Sequence, residues 1–324
     1  MTDQDPARQK LATDLLGSTS EFEDYDLILI ATPIESLASE VKKEFSSNSQ
    51  ATFMDIGGLK SKLVREVEEL PELSSRFVSL HPMAGREISG PQAARGDLFD
   101  GRALLITPTS STSPETLALA REIAQLLGST PYEMSAPDHD RLIAAISHMP
   151  QIVSSLLAST LVDFTEDQLA LSGGGLRDVT RIASSDAALW SSLLNENRES
   201  VLVQLEALDH KIGELRAALQ SANQEEITKL LHAGKVGREK IPGKHGAKNR
   251  NYTMLPVVIE DKPGQLARLF EECSQANVNV EDLTIEHSPA QETGLITLAL
   301  SSSDAQILEA HLLNAGWRVH SPLK

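Results

Sequence analysis

Cysteine is nearly absent from the 324-residue chain, which carries a single one, Cys273. One thiol cannot form an intrachain disulfide, so a disulfide-stapled fold is excluded. No group of Cys and His residues has zinc-finger spacing, and the sequence contains no HExxH pattern. We therefore expect neither a disulfide framework nor a zinc site.

Cations and aromatic rings are also scarce. The chain has 29 Lys and Arg against 46 Asp and Glu, a formal net charge of −17, and aromatic residues make up 4%. A field of this sign repels phosphate backbones and anionic lipid, and few rings are available on which bases could stack. These shortages argue against a nucleic-acid-binding or membrane-surface protein, but they leave room for an anionic small molecule in a local cationic pocket.

Long apolar runs are missing as well. A run such as Leu27–Ala31 is far shorter than the roughly 20 residues that a membrane span requires. The first ten residues, MTDQDPARQK, lack the charged-then-apolar pattern of a secretory signal. The composition, 40% hydrophobic and 23% charged, is ordinary for a globular protein, and we expect a cytoplasmic location.

The residues that are present divide the chain into three unlike parts. Residues 1–135 alternate apolar strands with helical patterns, which predicts an α/β fold with a mostly parallel, doubly wound sheet. Residues 136–232 contain no convincing strand and predict a helical domain whose apolar faces need a partner, in this chain or in another copy. Residues 252–324 predict the order βαββαβ, the ferredoxin-like arrangement.

The intervening segment 233–251 is rich in Gly, Lys and Arg, although the protein as a whole is acidic. Such a composition is typical of a solvated hinge. A basic loop that reaches an anionic site is the alternative. The residues leave both interpretations open.

Ligands of doubly wound sheets bind at the C-terminal ends of the strands. Three segments occupy such positions here, namely Thr32-Pro33, Asp55–Gly58 and His81–Gly85. His81 directly follows the apolar strand Phe77–Leu80. An imidazole titrates near neutral pH and is the usual group for removing a hydroxyl proton. A loop histidine that is merely hydrogen-bonded fits the same pattern equally well.

A second histidine, His148, lies beside a proline in the helical part. Pro150 falls inside a helical pattern, removes one backbone donor and predicts a kink. A kink of this kind presents polar groups to a cleft. The alternative is a histidine on the helix surface next to an unrelated proline.

Two arginines, Arg177 and Arg181, are four residues apart in a helical pattern, so both are expected to face the same way. Two guanidinium groups on one face suit a ligand that bears a carboxylate. Local pairing with Asp178 and Asp186 is the alternative. Trp190 either walls the same pocket or belongs to the core, as a lone tryptophan usually does.

Several separated motifs follow one another in the chain: HPMAGREISG, SHMP, GGGLRDVTRIASSDAALW and the linker motif PGKHG. In this order they resemble the prephenate/arogenate dehydrogenase family, the NAD(P)-dependent enzymes of tyrosine biosynthesis, over nearly the whole chain. The segment DKPGQL, residues 261–266, resembles part of an ACT domain, a regulatory module that binds amino acids. The resemblance implies a homodimer formed through the helical domain. It also implies oxidative decarboxylation of prephenate or arogenate, in which hydride leaves the hydroxyl-bearing ring carbon, CO2 is lost and the ring becomes aromatic.

The resemblance assigns roles to individual residues. His81 becomes the base or hydrogen-bond partner of the ring hydroxyl, and His148 becomes a second residue at the substrate. The substrate-binding residues that it implies are Arg177, Arg181, Trp190 and Arg86. Those implied for the cofactor, NAD or NADP, are Asp3, Thr32, Pro33, Asp55 and Gly58. Those implied for an effector, tyrosine or another aromatic amino acid, are Asp261, Gly264, Leu266 and Asn277, with turn and helix-cap roles as the alternative.

The sequence departs from the family in two places. A G-x-G-x-x-G turn, which binds the pyrophosphate of a dinucleotide, does not occur, and Gly173–Gly175 is the only Gly-x-Gly. Either the true reading frame starts upstream, or the chain has lost this element and is a non-catalytic amino-acid-sensing protein. Gly58 stands where the family commonly has a serine, so a hydroxyl beside His81 is missing.

Overall fold

A five-stranded sheet organises the N-terminal part of the chain, as the predicted α/β fold requires. The computed structural model describes residues 3–16, 25–84, 90–241, 252–287 and 293–321, and these fall into two units divided after Gln224. The strands of the first unit are β1 Leu27–Ile30, β2 Thr52–Asp55, β3 Phe77–Pro82, β4 Ala103–Pro108 and β5 Thr130–Glu133.

Both faces of this sheet are buried. Phe53 and Met54 are neighbours on β2, yet they belong to different hydrophobic clusters, because successive side chains of a strand point to opposite faces. One cluster includes α2 and α3, and the other includes α5. The helices of this region are α1 Pro6–Leu16, α2 Ile34–Ser47, α3 Ser61–Glu68, α4 Pro71–Ser75 and α5 Pro114–Leu126.

The strand order is β1-β2-β3-β4-β5, and the pairing is mixed. The pairs β1–β2, β2–β3 and β4–β5 are parallel, as predicted, but β3 and β4 run antiparallel. Parallel neighbours need a crossover helix, whereas antiparallel neighbours do not. Between β3 and β4 the described residues contain only a short 3₁₀ turn, Pro91–Ala93, so the reversal has a local cause that the apolar patterns did not show.

Residues 136–241 contain no strand and confirm the predicted helical part. Its last helix extends through residues 233–239, which the sequence assigned to the linker, while residues 242–251 lie outside the described residues. The helices are α6 Ala136–Ile143, α7 Met149–Ser159, α8 Glu166–Leu169, α9 Gly174–Thr180, α10 Ala187–Glu196, α11 Arg198–Gln220 and α12 Gln224–Glu239.

A π-helical turn, Ala144–His148, joins α6 to α7 without a break. The backbone N–H of Met149 donates to the carbonyl of Ala144, five residues earlier. The predicted effect of Pro150 is thereby confirmed in part, because a π turn is one of the ways in which a helix adapts its hydrogen bonds around a disturbance.

The joined helix Ala136–Ser159 has 24 residues and is long and apolar enough to cross a membrane by length and composition alone. No uninterrupted apolar run marks this helix in the sequence, because His139, Asp140 and Arg141 fall within it. The helix carries buried His139, Asp140 and His148, which bond to other parts of the same unit. Such contacts are typical of a core helix in a folded domain.

In the second unit, the residues that follow α12 have the predicted order βαββαβ. Its antiparallel sheet has the strand order β7-β8-β6-β9, and Cys273 lies in its hydrophobic core, as expected. The elements are β6 Thr253–Glu260, α13 Gln265–Gln275, β7 Asp282–His287, β8 Thr293–Leu300, α14 Ser302–Asn314 and β9 Arg318–Val319.

Candidate active site

His81 lies near the end of β3 and begins a chain of hydrogen bonds that runs into the helical part. Its Nδ1 lies 2.9 Å from Nε2 of His139. The other ring nitrogen of His139, Nδ1, lies 2.8 Å from Oδ1 of Asp140. Ser135 caps the N-terminus of α6, which places both of these buried residues near the start of that helix. The structure thus joins the end of a strand to the helical part through polar side chains.

Asp140 is held by the loop that precedes α3. Its Oδ1 accepts a hydrogen bond from the backbone N–H of Lys60 at 3.0 Å, and its Oδ2 accepts one from Ser61 at 2.9 Å. Burial alone would favour the protonated acid, but the hydrogen bonds from His139, Ser61 and Lys60 together lower the pKa of Asp140. Asp140 is therefore an ionised acceptor.

A fully buried ion pair lies in the same loop. Nζ of Lys60 donates to Oδ2 of Asp55 at 2.8 Å and to the carbonyl of Leu80 at 2.6 Å. Asp55 also accepts from the hydroxyl of Ser79 and from the N–H of Gly57. Burial lowers the pKa of Lys60, while Asp55 opposes that shift. The resemblance implied a cofactor contact for Asp55, but its oxygens are occupied in this internal network.

His148 is buried, so the surface-histidine alternative is wrong. Its Nδ1 lies 3.4 Å from Nδ2 of Asn197, which also donates to the backbone carbonyl of Asp140 at 2.9 Å. The ring of Trp190 meets the ring of His148 edge-on, with 5.9 Å between the centroids. His148 and Trp190 are therefore joined through Asn197 to the chain that begins at His81.

The surroundings of His81 disfavour its charged form. Burial, with further contributions from Lys60, His139 and His148, lowers the pKa of His81 to about 3, although Asp140 acts in the opposite direction. Burial also lowers the pKa of His148. At neutral pH the His81 ring is consequently uncharged and carries one unprotonated nitrogen, which is able to accept a hydrogen bond.

The strand ends beside His81 fit the nicotinamide end of a dinucleotide. Among the described residues, the hydroxyl of Thr32 at the end of β1 is a buried polar atom without a hydrogen-bond partner. At Gly58, a Cβ would lie 4.0 Å from Nε2 of His81, so this edge of the ring faces the backbone after β2. Thr32 and Gly58 would border the nicotinamide and its ribose, with Pro33 beside them.

The two adjacent glycines of the β2 loop differ in the space around them. A Cβ at Gly57 would lie 2.8 Å from Cδ2 of Leu37, a core side chain, and 3.2 Å from Oδ2 of Asp55. We expect Gly57→Ala to lower the free energy of unfolding by about 1–3 kcal/mol through overpacking. The matched variant Gly58→Ala meets only ordinary contacts and should change it by less than about 1 kcal/mol. Urea unfolding of both variants measures the difference, and equal losses would contradict this account of the loop.

The two arginines do not share one regular helix, contrary to expectation. α9 ends at Thr180, and Arg181 begins a short 3₁₀ turn, whose tighter winding changes the angle between successive side chains. Arg177 donates to the carbonyl of Ser172 at 3.0 Å. Asp186, expected as a local partner, instead caps α10 through the N–H groups of its first turn.

Arg181 lines a cavity of about 480 Å³ together with Met149, Pro150 and the buried Ser154. His81 is not among the residues that line it. A larger cavity, about 1460 Å³, includes Asp140 but neither His81 nor Arg181, and its charged lining residues are of both signs. A single cavity shared by His81 and Arg181 therefore stays a prediction.

The remaining predicted site residues lie elsewhere. Asp3 is exposed, and its Oδ1 accepts from the N–H of Asp5 at 2.8 Å. Arg86 lies outside the described residues. In the second unit, Gly264 (φ +86°) and Asn277 (φ +53°) adopt the left-handed conformation at the two ends of α13. Asp261 and Leu266, the other two predicted effector residues, are exposed in the β6–α13 connection and at the start of α13.

The sequence did not single out four residues that build this site, namely Lys60, His139, Asp140 and Asn197. Each is polar and lies next to or inside a helical pattern, where a solvent-facing position is the usual outcome. One local signal was available, because Ser135 and Asp138 form an N-cap pattern directly after β5. A helix that starts there places His139 near the edge of the sheet where His81 lies.

Comparison with known proteins gives a consistent result along most of the chain. The family described as "Prephenate dehydrogenase, nucleotide-binding domain" matches residues 2–132, and "Prephenate dehydrogenase, dimerization domain" matches residues 135–233. The chain is 28% identical to the probable prephenate dehydrogenase NovF of Streptomyces niveus, over 99% of this chain and 92% of that protein. It is 25% identical to prephenate dehydrogenase of Bacillus subtilis (strain 168), over 86% of this chain and 76% of that protein.

A solved structure is similar as well. The crystal structure of prephenate dehydrogenase from A. aeolicus, in complex with hydroxyphenyl propionate and NAD+, superposes with a TM-score of 0.66 at 29% identity. The match covers 73% of this chain and 86% of that one. Sequence families and three-dimensional structure thus agree on the same class of protein.

Proposed function

This chain belongs to the prephenate dehydrogenase family, and we propose that it catalyses the NAD(P)-dependent oxidative decarboxylation of prephenate to 4-hydroxyphenylpyruvate. The observation that carries the proposal is the half-buried His81 near the end of β3. It is uncharged at neutral pH, and its Nε2 edge faces Gly58, beside the strand ends that fit a nicotinamide. A neutral imidazole in this position is suited to accept a hydrogen bond from a substrate hydroxyl.

The proposed reaction needs little proton chemistry from the protein. Bound beside Thr32, Pro33 and Gly58, NAD+ would supply the acceptor for the hydride of the ring carbon that bears the hydroxyl. The bond to the ring carboxylate breaks, CO2 leaves, and its electron pair completes the aromatic ring, so the phenol product keeps the hydroxyl proton. A hydrogen bond from the hydroxyl to His81 raises electron density at the carbon that loses hydride. The chain's main tasks are to orient the substrate and to exclude water.

The function is tested by measuring NADH and NADPH formation from prephenate and from arogenate, each at saturating cofactor. We expect prephenate to be oxidised, with one CO2 released and one aromatic product formed for each reduced cofactor. Faster turnover of arogenate would assign the alternative substrate within the same chemistry. Absence of reduced cofactor with either substrate, for a protein shown to be folded, would overturn the proposal.

We propose that Arg181 binds a substrate carboxylate. Charged hydrogen bonds of this kind are worth about 1.5–3 kcal/mol, so Arg181→Gln is expected to raise KM for prephenate by about 10- to 100-fold, with kcat changed much less. Lys211→Gln, on an exposed stretch of α11, serves as a control that removes one cation elsewhere. An unchanged KM in Arg181→Gln would remove Arg181 from the substrate site. Steady-state kinetics at saturating NAD+ measure both constants.

We propose that three further residues lie beside Arg181 at the substrate, namely Arg177, Trp190 and His148.

We further propose a homodimer formed through the helical region. The match to a dimerisation domain supports it, and so do large apolar side chains left exposed there, among them Val162 (79% exposed), Phe164 (52%) and Leu171 (87%). Patches of this kind usually mark an interface.

We propose a division of the chain into a cofactor domain 1–135, a helical domain 136–232, a basic linker 233–251 and a C-terminal domain 252–324.

The C-terminal domain is proposed to be a ferredoxin-like ACT domain that binds an aromatic amino acid such as tyrosine. Its βαββαβ order and strand arrangement support this assignment. The left-handed Gly264 begins α13 without a side-chain cap, and a Cβ there would meet no atom of the described residues within 4 Å, which supports a backbone that is open to a ligand. Asp261, Leu266 and Asn277 complete the proposed effector site.

We propose a cytoplasmic location for the whole protein.

A further inference from the structure

We propose that Asp140, acting through His139, holds the proton of His81 on Nδ1 and leaves the lone pair of Nε2 free beside Gly58. Asp140 and His139 are then positioning residues, and His81 is the group that meets the substrate. This proposal rests on the proposed function for its catalytic meaning, but the position of the proton is a property of the protein alone.

Asp140 is the first residue of the hydrogen-bond chain, and both of its oxygens accept hydrogen bonds. Oδ1 receives the backbone N–H of Lys60, and Oδ2 receives that of Ser61, at 3.0 and 2.9 Å. Backbone N–H groups cannot reverse their direction, and together with His139 they hold the pKa of Asp140 below its ordinary value. Asp140 is thus ionised, and the 2.8 Å contact with Nδ1 of His139 is an N–H donating to a carboxylate.

The direction of the bond from His139 to Asp140 determines the direction of the bond between His139 and His81. A neutral imidazole has one N–H and one lone pair, so His139 with its proton on Nδ1 presents a lone pair at Nε2. The nitrogen 2.9 Å away is Nδ1 of His81, which must then carry the hydrogen of that bond. His139 is fully buried, so its ring cannot exchange this partner for bulk water.

The proton on Nδ1 determines what His81 presents at its opposite edge. With Nδ1 protonated, Nε2 has a lone pair that points toward the space next to Gly58, 4.0 Å from the position of a Cβ there. The charged and titratable groups that face His81 are Lys60, His139, Asp140 and His148. Three of these disfavour a second proton on the ring, so the lone pair persists at neutral pH.

Without this chain of hydrogen bonds, the proton of His81 could occupy either ring nitrogen. A His81 with its proton on Nε2 would donate toward a substrate hydroxyl instead of accepting from it. Loss of the carboxylate that orients an imidazole can leave the geometry intact and still reduce turnover strongly. The buried polar chain therefore has a chemical role in addition to holding the loop before α3.

Long-range proton–nitrogen NMR on the full chain labelled with 15N-histidine tests the proposal directly at pH 8. Comparison with His81→Asn assigns the His81 signals. We expect a protonated Nδ1 and an unprotonated Nε2 on His81. A His81 with its proton on Nε2, including the case in which His139 carries both protons, would overturn the proposal whatever the activity of the protein.

Two variants add a functional measurement. Asp140→Asn places a group that both donates and accepts next to His139, so we expect a second tautomer of His81 to appear and kcat to fall at least about tenfold. His139→Leu removes the acceptor and should shift His81 to the Nε2 proton with a similar loss of kcat. The matched control Asp138→Asn, on the same helix and paired with Arg141, should leave spectrum and kcat unchanged.

The outcomes separate this proposal from the proposed function. If the wild-type chain does not oxidise prephenate or arogenate but shows the expected His81 tautomer, the function is wrong and the hydrogen-bond chain stands. If prephenate is oxidised and Asp140→Asn keeps both the wild-type spectrum and kcat, the positioning role of Asp140 is wrong. Circular dichroism of each variant shows whether it is folded.

Discussion

Replacement of His81 by asparagine is expected to lower kcat for prephenate by about 10²- to 10⁴-fold, the usual contribution of a positioned acid–base group. The fold should survive, because the asparagine amide has an N–H near the place of Nδ1 and is able to donate to His139. Steady-state kinetics at saturating NAD+ measure the loss. His210→Asn, on an exposed stretch of α11, is the control and should retain full turnover.

The same variant has an expected effect on the pH dependence of stability. The pKa of His81 is lowered from the ordinary 6.5 to about 3 in the folded state, so between these values the unfolded chain binds the extra proton. The wild type therefore loses stability as the pH falls through this range, by up to about 1.4 kcal/mol per pH unit from this group. His81→Asn lacks this contribution, and its unfolding free energy should decline less steeply. Parallel curves for the two proteins would show that His81 titrates normally.

The second large effect is expected at the buried pair of Lys60 and Asp55. Lys60→Met leaves the carboxylate of Asp55 buried with only the Ser79 hydroxyl and the Gly57 N–H as donors. Removal of one partner from a buried ion pair typically costs about 3–5 kcal/mol, because the remaining charge is uncompensated. We expect a loss of this size in the free energy of unfolding, measured by urea denaturation.

Two further variants test the explanation. Lys62→Met breaks the exposed pair with Glu196, whose N···O distance is 3.0 Å, and should cost less than about 1 kcal/mol. The double variant Asp55→Asn/Lys60→Met should be less destabilised than the sum of the two single variants, since the charge left behind has also been removed. An additive result, or a loss in Lys60→Met no larger than in Lys62→Met, would show that the pair is not strongly coupled.

Much of the fold was readable from local patterns. The apolar runs at β1 to β4 and the βαββαβ order of the second unit follow from alternation and turn residues, and both are confirmed. The reversal between β3 and β4 was not readable, because strand direction depends on the connection and not on the strand itself. β5, Thr130–Glu133, was missed because its sequence TPYE contains no apolar run, since three of its four residues are exposed.

Only some residues of the candidate site could be predicted from the sequence. His81 and His148 stood out because each follows or precedes a proline near the end of an element. His139 was not singled out although Pro137 lies two positions before it, and its contact with His81 spans 58 positions of the sequence. A contact of that range follows from how α6 packs against the sheet, which no local pattern records. The same holds for Lys60, whose neighbours in the sequence resemble those of an exposed helix start.

At two places the structure orients a side chain differently from what the sequence motifs led us to expect. The resemblance implied a cofactor role for Asp55, whereas the structure engages this carboxylate with Lys60 beneath the site. The four-residue spacing of Arg177 and Arg181 predicted one shared helical face, but a change of winding after Thr180 separates their directions. In both cases the residue type was informative, and its orientation depended on backbone details that a motif does not contain.

The π turn between α6 and α7 has a geometric consequence for two imidazoles, that of His139, which precedes it, and that of His148, which ends it. In a regular helix each residue advances by about 100°, so positions nine apart, such as His139 and His148, would face nearly opposite directions. The wider turn accommodates one residue more and rotates the second ring back, so that Asp140 and His148 both bond to Asn197. The number of residues in this helix is therefore constrained independently of their identity. A single insertion or deletion within it would turn one imidazole away from the other, even if every side chain of the site were kept.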